Sequence, residues 1–251
     1  MQQISDYWVY LNNMKNGVYD KLFFTDKIFE EWNTFLDIGC ADGFLTNTIQ
    51  ELYPSKQIIG YDVDGEMLNL AKTSYPNILF TSAFFSADVL YLSSVVHEIY
   101  TYLNSDEIES FWKMIFDSKY KYIVIRDMFY GDYLNSKPIT NNENFRFIKF
   151  VQNQKLENKL FDFEQIWGKI TTYKQLIHFL LKYQYNENWN REVRENYLPI
   201  SYNDFLKVLP LNVKIDYLEQ YTLPYFKNKW EKEIGIEIDD EIHCKIIIKK
   251  I

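Results

Sequence analysis

The stretch Thr34-Phe35-Leu36-Asp37-Ile38-Gly39-Cys40-Ala41-Asp42-Gly43 constrains the fold more than any other part of the chain. A short apolar run ends in a glycine-bounded turn, and Phe44, Leu45, Thr48, Ile49 and Leu52 then recur at helical spacing up to Pro54. That is strand, tight turn, helix. Glycine in such a turn lets the backbone approach a ligand closely and aims helix N–H groups at its polar atoms.

The unit repeats. Gln57 to Tyr61 reads as a strand and Asp62-Val63-Asp64-Gly65 as a turn, with Asp64 placed to cap the helix that carries Met67, Leu68, Leu70 and Ala71. Ile78 to Thr81 and Val89 to Leu92 are two more strands with little room between them. Asp106 to Phe116 is an amphipathic helix, and Tyr120 to Arg126 a buried-type strand. Strands alternating with helices give a parallel sheet with right-handed crossovers.

The flanks read differently. Residues 1–33 look helical, through Tyr7, Leu11, Met14 and Val18 and then a second run from Lys21 to Trp32. Residues 131–210 break the alternation with helices at Leu156 to Trp167, Thr171 to Tyr183 (Thr171 as cap), Trp189 to Tyr197 and Ser201 to Leu209. Strand patterns return at Val213 to Leu218 and Ile242 to Ile248, with a reduced helical stretch between them. The expected organisation is therefore N-terminal helices over 1–33, an α/β core over 34–130, a helical insertion over 131–210, and closing strands over 211–251. The insertion falls near the C-terminal edge of the sheet, where open α/β folds put their ligands.

Several function classes drop out. The dinucleotide fingerprint needs glycine at 41 and 44, where this chain has Ala41 and Phe44, so a nicotinamide or flavin reading is poor. No run of about 18 apolar residues exists to span a membrane. The first residues lack a basic segment followed by an apolar core, so no signal peptide is expected. Cys40 and Cys244 are too far apart for a zinc pair, and no metal is required. A reducing cytoplasm is the expected compartment. The net charge of −8 argues against coating nucleic acid through bulk electrostatics.

Taken in order, these motifs resemble the class I S-adenosylmethionine-dependent methyltransferases. Their first motif runs acidic-x-Gly-x-(Gly/Ala)-x-Gly after the first strand, matched by Asp37, Gly39, Cys40, Ala41 and Gly43. Ile59 to Asp64 is similar to their second strand, which ends in an acid that accepts the ribose hydroxyls. Asp62 is the residue that fits, next to Val63, with Asp64 as helix cap. Asp88 to Ile99 resembles their fourth strand and the following helix, with Ser94 in the turn. Tyr120 to Asp127 resembles the fifth strand.

The resemblance covers roughly residues 30–130 and 211–251. It implies a Rossmann-like, mostly parallel seven-stranded sheet with helices on both faces and a helical cap inserted after the fifth strand. It also implies S-adenosylmethionine as cofactor. One departure is the connection Ser82-Ala83-Phe84-Phe85-Ser86-Ala87, where the family has an acid and a helix. Ser82 supplies a weaker adenine contact, with Phe84 or Phe85 to stack. The alternative is a shortened turn with core phenylalanines. Tyr7, Met14, Tyr19 and Lys21 would close over the donor, with Lys21 at its carboxylate.

For the acceptor, His97 and Glu98 follow the fourth strand and Arg126 and Asp127 end the fifth, all at the ligand edge. His97 is the candidate base, and Arg126 either orients the acceptor or bridges to the insertion. His178 and His243 read as packing residues. Residues 131–210 hold 11 Lys+Arg against 9 Asp+Glu, while the rest of the chain holds 16 against 26. Within the insertion, Lys182, Arg191 and Arg194 alternate with Tyr183, Tyr185, Trp189 and Tyr197. They form either a phosphate-and-base site or, with Glu187, Glu192 and Glu195, a mixed helix face.

The expected activity is methyl transfer to a small-molecule or nucleotide-like acceptor under the cap. RNA methylation is the second enzyme reading. A catalytically silent donor-binding partner protein is the rival from another class.

Overall fold

In a computed structural model, residues 17–251 are described. They begin with a single helical turn, α1 (Val18–Lys21), and a 3-10 turn, Phe23–Asp26. The helical run expected from Lys21 to Trp32 is thus much shorter. Of Phe23, Phe24, Ile28 and Phe29 only Phe24 is fully buried, wedged against Phe35 and Tyr91 at 5.3 and 5.4 Å between ring centroids, while Phe29 is 88% exposed. The expected helix through Tyr7 and Met14 lies outside the described residues.

The core then alternates: β1 (Thr34–Ile38), α2 (Phe44–Leu52), β2 (Gln57–Tyr61), α3 (Gly65–Ser74), β3 (Leu79–Thr81), β4 (Val89–Ser93), α4 (Val96–Tyr102), α5 (Ser105–Asp117) and β5 (Tyr122–Asp127). Asp64 caps α3 by accepting from the Glu66 and Met67 N–H groups. Asn104 and Glu107 form a reciprocal capping box on α5. No helix separates β3 from β4, as the short connection implied.

After β5 come α6 (Asn141–Gln154), α7 (Glu157–Trp167), α8 (Tyr173–Leu180), α9 (Trp189–Glu192) and α10 (Tyr202–Val208). The chain ends with β6 (Val213–Tyr221), α11 (Pro224–Ile234) and β7 (His243–Lys250). The cap of α8 is Thr172, not Thr171, because its hydroxyl accepts from Gln175 N–H while Gln175 reaches back. The helix expected over Trp189 to Tyr197 stops at Glu192, and its second half is an irregular strap.

Among the described residues, seven strands form one sheet in the order β3-β2-β1-β4-β5-β7-β6. The first five run parallel, and β7 is antiparallel to both β5 and β6. Strand periodicity sorts the core into two layers. Phe35, Ile58, Val89, Tyr91, Val124 and Ile247 pack on one face, Leu36, Ile59, Leu90, Ile123, Ile125 and Ile246 on the other. A fully buried side chain of this size stabilises the fold by about 2 kcal/mol.

The helices after β5 have their own core around Phe147, Phe163, Leu176 and Phe179. α11 joins it through Trp230 and Ile234, although it lies between the two closing strands. α10 packs on the sheet instead, with Phe205 against Phe129 and Trp112 at 4.9 and 5.6 Å. Together these place the strap after α9 over α4, at the C-terminal edge of β4 and β5.

Candidate active site

The β1–α2 turn is held in left-handed backbone at Gly39 (φ 79°), Ala41 (φ 46°) and Gly43 (φ 78°). A Cβ on Gly39 would lie 2.7 Å from Val95 Cγ2, and one on Gly43 2.6 Å from Phe80 Cζ. Both positions need glycine twice over, for the angle and for the space. Gly39 and Cys40 N–H groups donate to Tyr61 O at 2.8 and 3.0 Å, tying the turn to β2.

Asp62 completes that tie. Its Oδ2 accepts from Ala41 N–H at 2.8 Å and its Oδ1 from Asp64 N–H at 2.9 Å. Burial pushes its carboxyl above the usual range, against these two hydrogen bonds. Each carboxylate oxygen has a second lone pair, so both keep one acceptor site after gripping the loop. Cys40 is buried beneath, with its thiol pushed up by burial and by Asp37 and Asp62, which makes it an inert packing residue.

On one face of the sheet, Asp37 is buried and accepts from Thr46 Oγ1 at 2.7 Å. Burial raises its carboxyl to about 6. Lys21 on α1 is 7% exposed, and none of the described residues accepts a hydrogen bond from its Nζ. Burial lowers its ammonium to about 8, with Arg126 lowering it further and Asp37 and Asp127 opposing. Ser93 Oγ, on the same face two residues beyond the partner of Asp37, is buried and has no hydrogen-bond partner among the described residues. An amine, a carboxylate and a hydroxyl therefore converge here with hydrogen-bonding capacity in reserve.

Arg126 shares this face but is committed. Its Nε and Nη2 meet Asp20 at 2.8 and 2.7 Å, Nε also donates to the Tyr221 hydroxyl at 3.2 Å, and Nη1 to Ser94 Oγ at 3.3 Å. Lys245 adds a second cation to Asp20 at 2.9 Å. The salt bridge that sequence reasoning set against an acceptor role thus exists, but it runs to α1 rather than to the insertion. Ser94 adopts φ 58°, an uncommon angle for serine, at the sharp turn out of β4.

The opposite face carries the other pair. Asp127 accepts from Val96 N–H at 2.6 Å and Met128 N–H at 2.7 Å, and meets His97 Nδ1 at 2.8 Å. The Asp127 carboxylate raises His97 to about 9, against strong burial, and His97 in turn lowers Asp127. Nδ1 is fixed by Asp127, and no described residue bonds to Nε2. Glu98 points instead to Arg191 of α9, at 2.9 Å.

The remaining sequence candidates lie apart from these clusters. Val63 is 66% exposed, and Ser82 sits on an exposed bend. Phe84 packs edge-on against Tyr61 at 6.2 Å, which favours the packing reading for it. In the insertion, Lys182, Arg191, Tyr183, Trp189 and Tyr197 are buried. Arg191 pairs with Glu195 one helical turn on at 2.6 Å, as the mixed-face reading expected, but inside the protein rather than on its surface.

His178 is a packing residue with a definite job. Its Nε2 accepts from Tyr197 N–H at 3.2 Å, and burial beside Lys182 keeps it neutral. Nε2 therefore carries no proton for the nearby Glu195 carbonyl, which Lys182 Nζ satisfies. His243 is likewise neutral and stacked on Phe226. Sequence reasoning missed Asp20 and placed Glu195 only in a mixed helix face, because Arg126 and Tyr102, their partners, lie far along the chain.

No family model matches the sequence. Among curated proteins, "Putative methyltransferase 235L" of Invertebrate iridescent virus 6 is 45% identical over 47 residues, 19% of this chain and 18% of the viral one. The matched stretch thus spans less than a fifth of that protein's length. Among solved structures, the plantazolicin methyltransferase BpumL, in complex with a pentazolic desmethylPZN analog and SAH, superposes with a TM-score of 0.52 at 11% identity. That match covers 95% of this chain and 84% of BpumL. A SAM dependent methyltransferase from Archaeoglobus fulgidus gives 0.51 at 14% identity, covering 98% of this chain and all of that one. What these likenesses establish is the fold: the chain has the Rossmann-like α/β fold of the class I S-adenosylmethionine-dependent methyltransferases.

Proposed function

We propose that the chain is an S-adenosylmethionine-dependent methyltransferase acting on a small-molecule or nucleotide-like acceptor held between the sheet edge and the helices after β5. The observation that carries this reading is the left-handed 39–43 turn clamped by Asp62, with unsatisfied polar groups beside it. The residues present suit the donor. Asp62 keeps an acceptor lone pair on each oxygen for a vicinal diol. Lys21 Nζ suits a carboxylate, and Asp37 and Ser93 Oγ suit an α-amine. Ala41, whose N–H is engaged by Asp62, lines the turn with the two glycines. Val63 and Ser82 flank it at the solvent side, and Ser94 holds the turn out of β4.

The donor, when bound, supplies a methyl group already activated by a sulfonium. What is left for the protein is to position the acceptor and take up its proton. His97 does the second: with Nδ1 held by Asp127, Nε2 is the atom that accepts the proton an X–H acceptor loses. Glu98 and Asp127 act on His97 rather than on the acceptor, and Arg126 holds α1 against the sheet beside Lys21. Of the three cations that alternate with aromatics in the insertion, Arg191 is buried in ion pairs with Glu98 and Glu195 and Lys182 is buried on the Glu195 carbonyl, leaving Arg194 as the exposed one, and this favours a small acceptor over a polyanion such as RNA.

Calorimetric titration with S-adenosylmethionine tests the donor half. Asp62→Ala is expected to weaken binding by roughly tenfold to a hundredfold, the loss of charge-assisted hydrogen bonds. Lys21→Met should cost about tenfold. Unchanged affinity in both variants would move the donor site away from this edge.

A further inference from the structure

The strap after α9 and the helix α4 are interlocked by more contacts than packing requires. Thr101 Oγ1 donates to His97 O at 2.7 Å and accepts from Asn196 N–H at 2.8 Å, so one hydroxyl ties the His97 carbonyl to the strap. Arg191 bridges Glu98 of α4 at 2.9 Å and Glu195 of the strap at 2.6 Å. Tyr102 donates to Glu195 at 3.1 Å. The Tyr197 ring stands edge-on to the His97 imidazole with centroids 5.4 Å apart. His178 and Lys182 fix the strap backbone at Tyr197 and Glu195 from behind. All of this holds one buried carboxylate, Glu195, in the cluster of α4 and strap side chains that surrounds His97, within reach of the imidazole through its charge.

We propose that Glu195 is a positioning residue for His97: the strap brings its carboxylate to the imidazole and so sets how strongly His97 holds a proton. This rests on the reading of His97 as the base. The helices after β5 are then part of the proton-handling apparatus as well as a roof over the acceptor, and a full-strength base exists only with the strap docked.

The groups around His97 support that assignment. Asp127 faces it from β5, Glu98 and Tyr102 from its own helix, and Arg191, Glu192, Glu195 and Tyr197 from α9 and the strap. Lys182 and Tyr185 follow α8, Asp62 lies beyond Glu98, and Arg126 and His243 lie across the sheet. Asp127 bonds to Nδ1 and is shared with the Val96 and Met128 N–H groups, and Glu195 adds a second negative charge from the strap. Burial pushes Glu195 up to about 7, so it is ionised where His97 titrates, near 9. An ionised neighbour there holds the proton on His97.

The experiment is an NMR titration of the imidazole nitrogens in the full-length protein without donor or acceptor, with His97 assigned through His97→Gln. Glu195→Gln is expected to lower the His97 midpoint by about one pH unit, while Glu195→Asp leaves it close to wild type. A midpoint unmoved in folded Glu195→Gln would overturn the proposal. Should Glu195→Gln not fold, Thr101→Val, which unties the strap from α4, carries the same comparison: a lowered midpoint supports the proposal and an unchanged one overturns it. Because the titration needs no turnover, its outcome is independent of whether His97 acts as the base.

Discussion

Replacing Asp127 by alanine is expected to destabilise the fold by about 3 kcal/mol, read by urea denaturation near pH 6. One carboxylate accepts from the first N–H groups of α4 and from Met128, and it neutralises a His97 that is 7% exposed. Alanine leaves those donors unanswered and a cation buried. His97 escapes part of the cost by losing its proton, which is why the figure sits at the low end for a broken buried pair. Asp127→Asn keeps an acceptor and should lose about half as much.

The same pair dictates a pH dependence, and the sign follows from the two shifts. His97 is raised from 6.5 to about 9 in the folded protein, so its contribution is complete below 6.5 and disappears as pH rises through about 9. Asp127 is lowered from 3.8, so its contribution is present above 3.8 and is lost as pH falls through its depressed folded value. Stability from the pair is therefore greatest between about 4 and 6.5 and erodes on both sides. In His97→Gln the alkaline erosion should vanish.

The second large effect is on turnover. His97→Gln is expected to slow methyl transfer to an X–H acceptor by about 10²–10⁴-fold, measured as labelled methyl incorporated into the acceptor. Donor affinity should stay close to wild type, because His97 faces the side of the sheet opposite Lys21 and Asp37. In the wild type, kcat/KM should climb with pH up to about 9, since only neutral His97 accepts a proton. A flat profile, with His97→Gln at full rate, would mean that an acceptor already deprotonated is the substrate.

The core was legible because its signals are local. The strand-turn-helix at 34–52, the Asp64 cap and the missing helix after Thr81 all depend on residues within a few positions of each other. The same locality explains the errors. Phe23, Phe24, Ile28 and Phe29 have helical spacing, yet only Phe24 is fully buried, packed against Phe35 and Tyr91, while Phe23 and Ile28 cover the same cluster partly and Phe29 is exposed. α6 went unread although Thr140 and Glu143 spell a capping box. α11 was underestimated although Pro224 opens it and Gly235, at φ 71°, closes it.

What no local pattern shows is pairing across the chain. Trp230 is wholly buried because helices far earlier in the sequence surround it. Glu195 looks like one charge of a solvated face until the fold sets it against a helix more than ninety residues away. The turn at 39–43 was readable as a motif, the surroundings of His97 only as a list of candidates. Asp20 as the partner of Arg126 was not readable at all.

The central claim is that the 39–43 turn, Asp62 and Lys21 form a site for S-adenosylmethionine. The most direct measurement is calorimetric titration of the wild-type protein with S-adenosylmethionine and with S-adenosylhomocysteine, with NAD⁺ as a control. One site per chain is expected, with dissociation constants on the order of micromolar for both sulfur compounds and no heat from NAD⁺. A folded protein that takes up neither sulfur compound, or that binds NAD⁺ in their place, would contradict it.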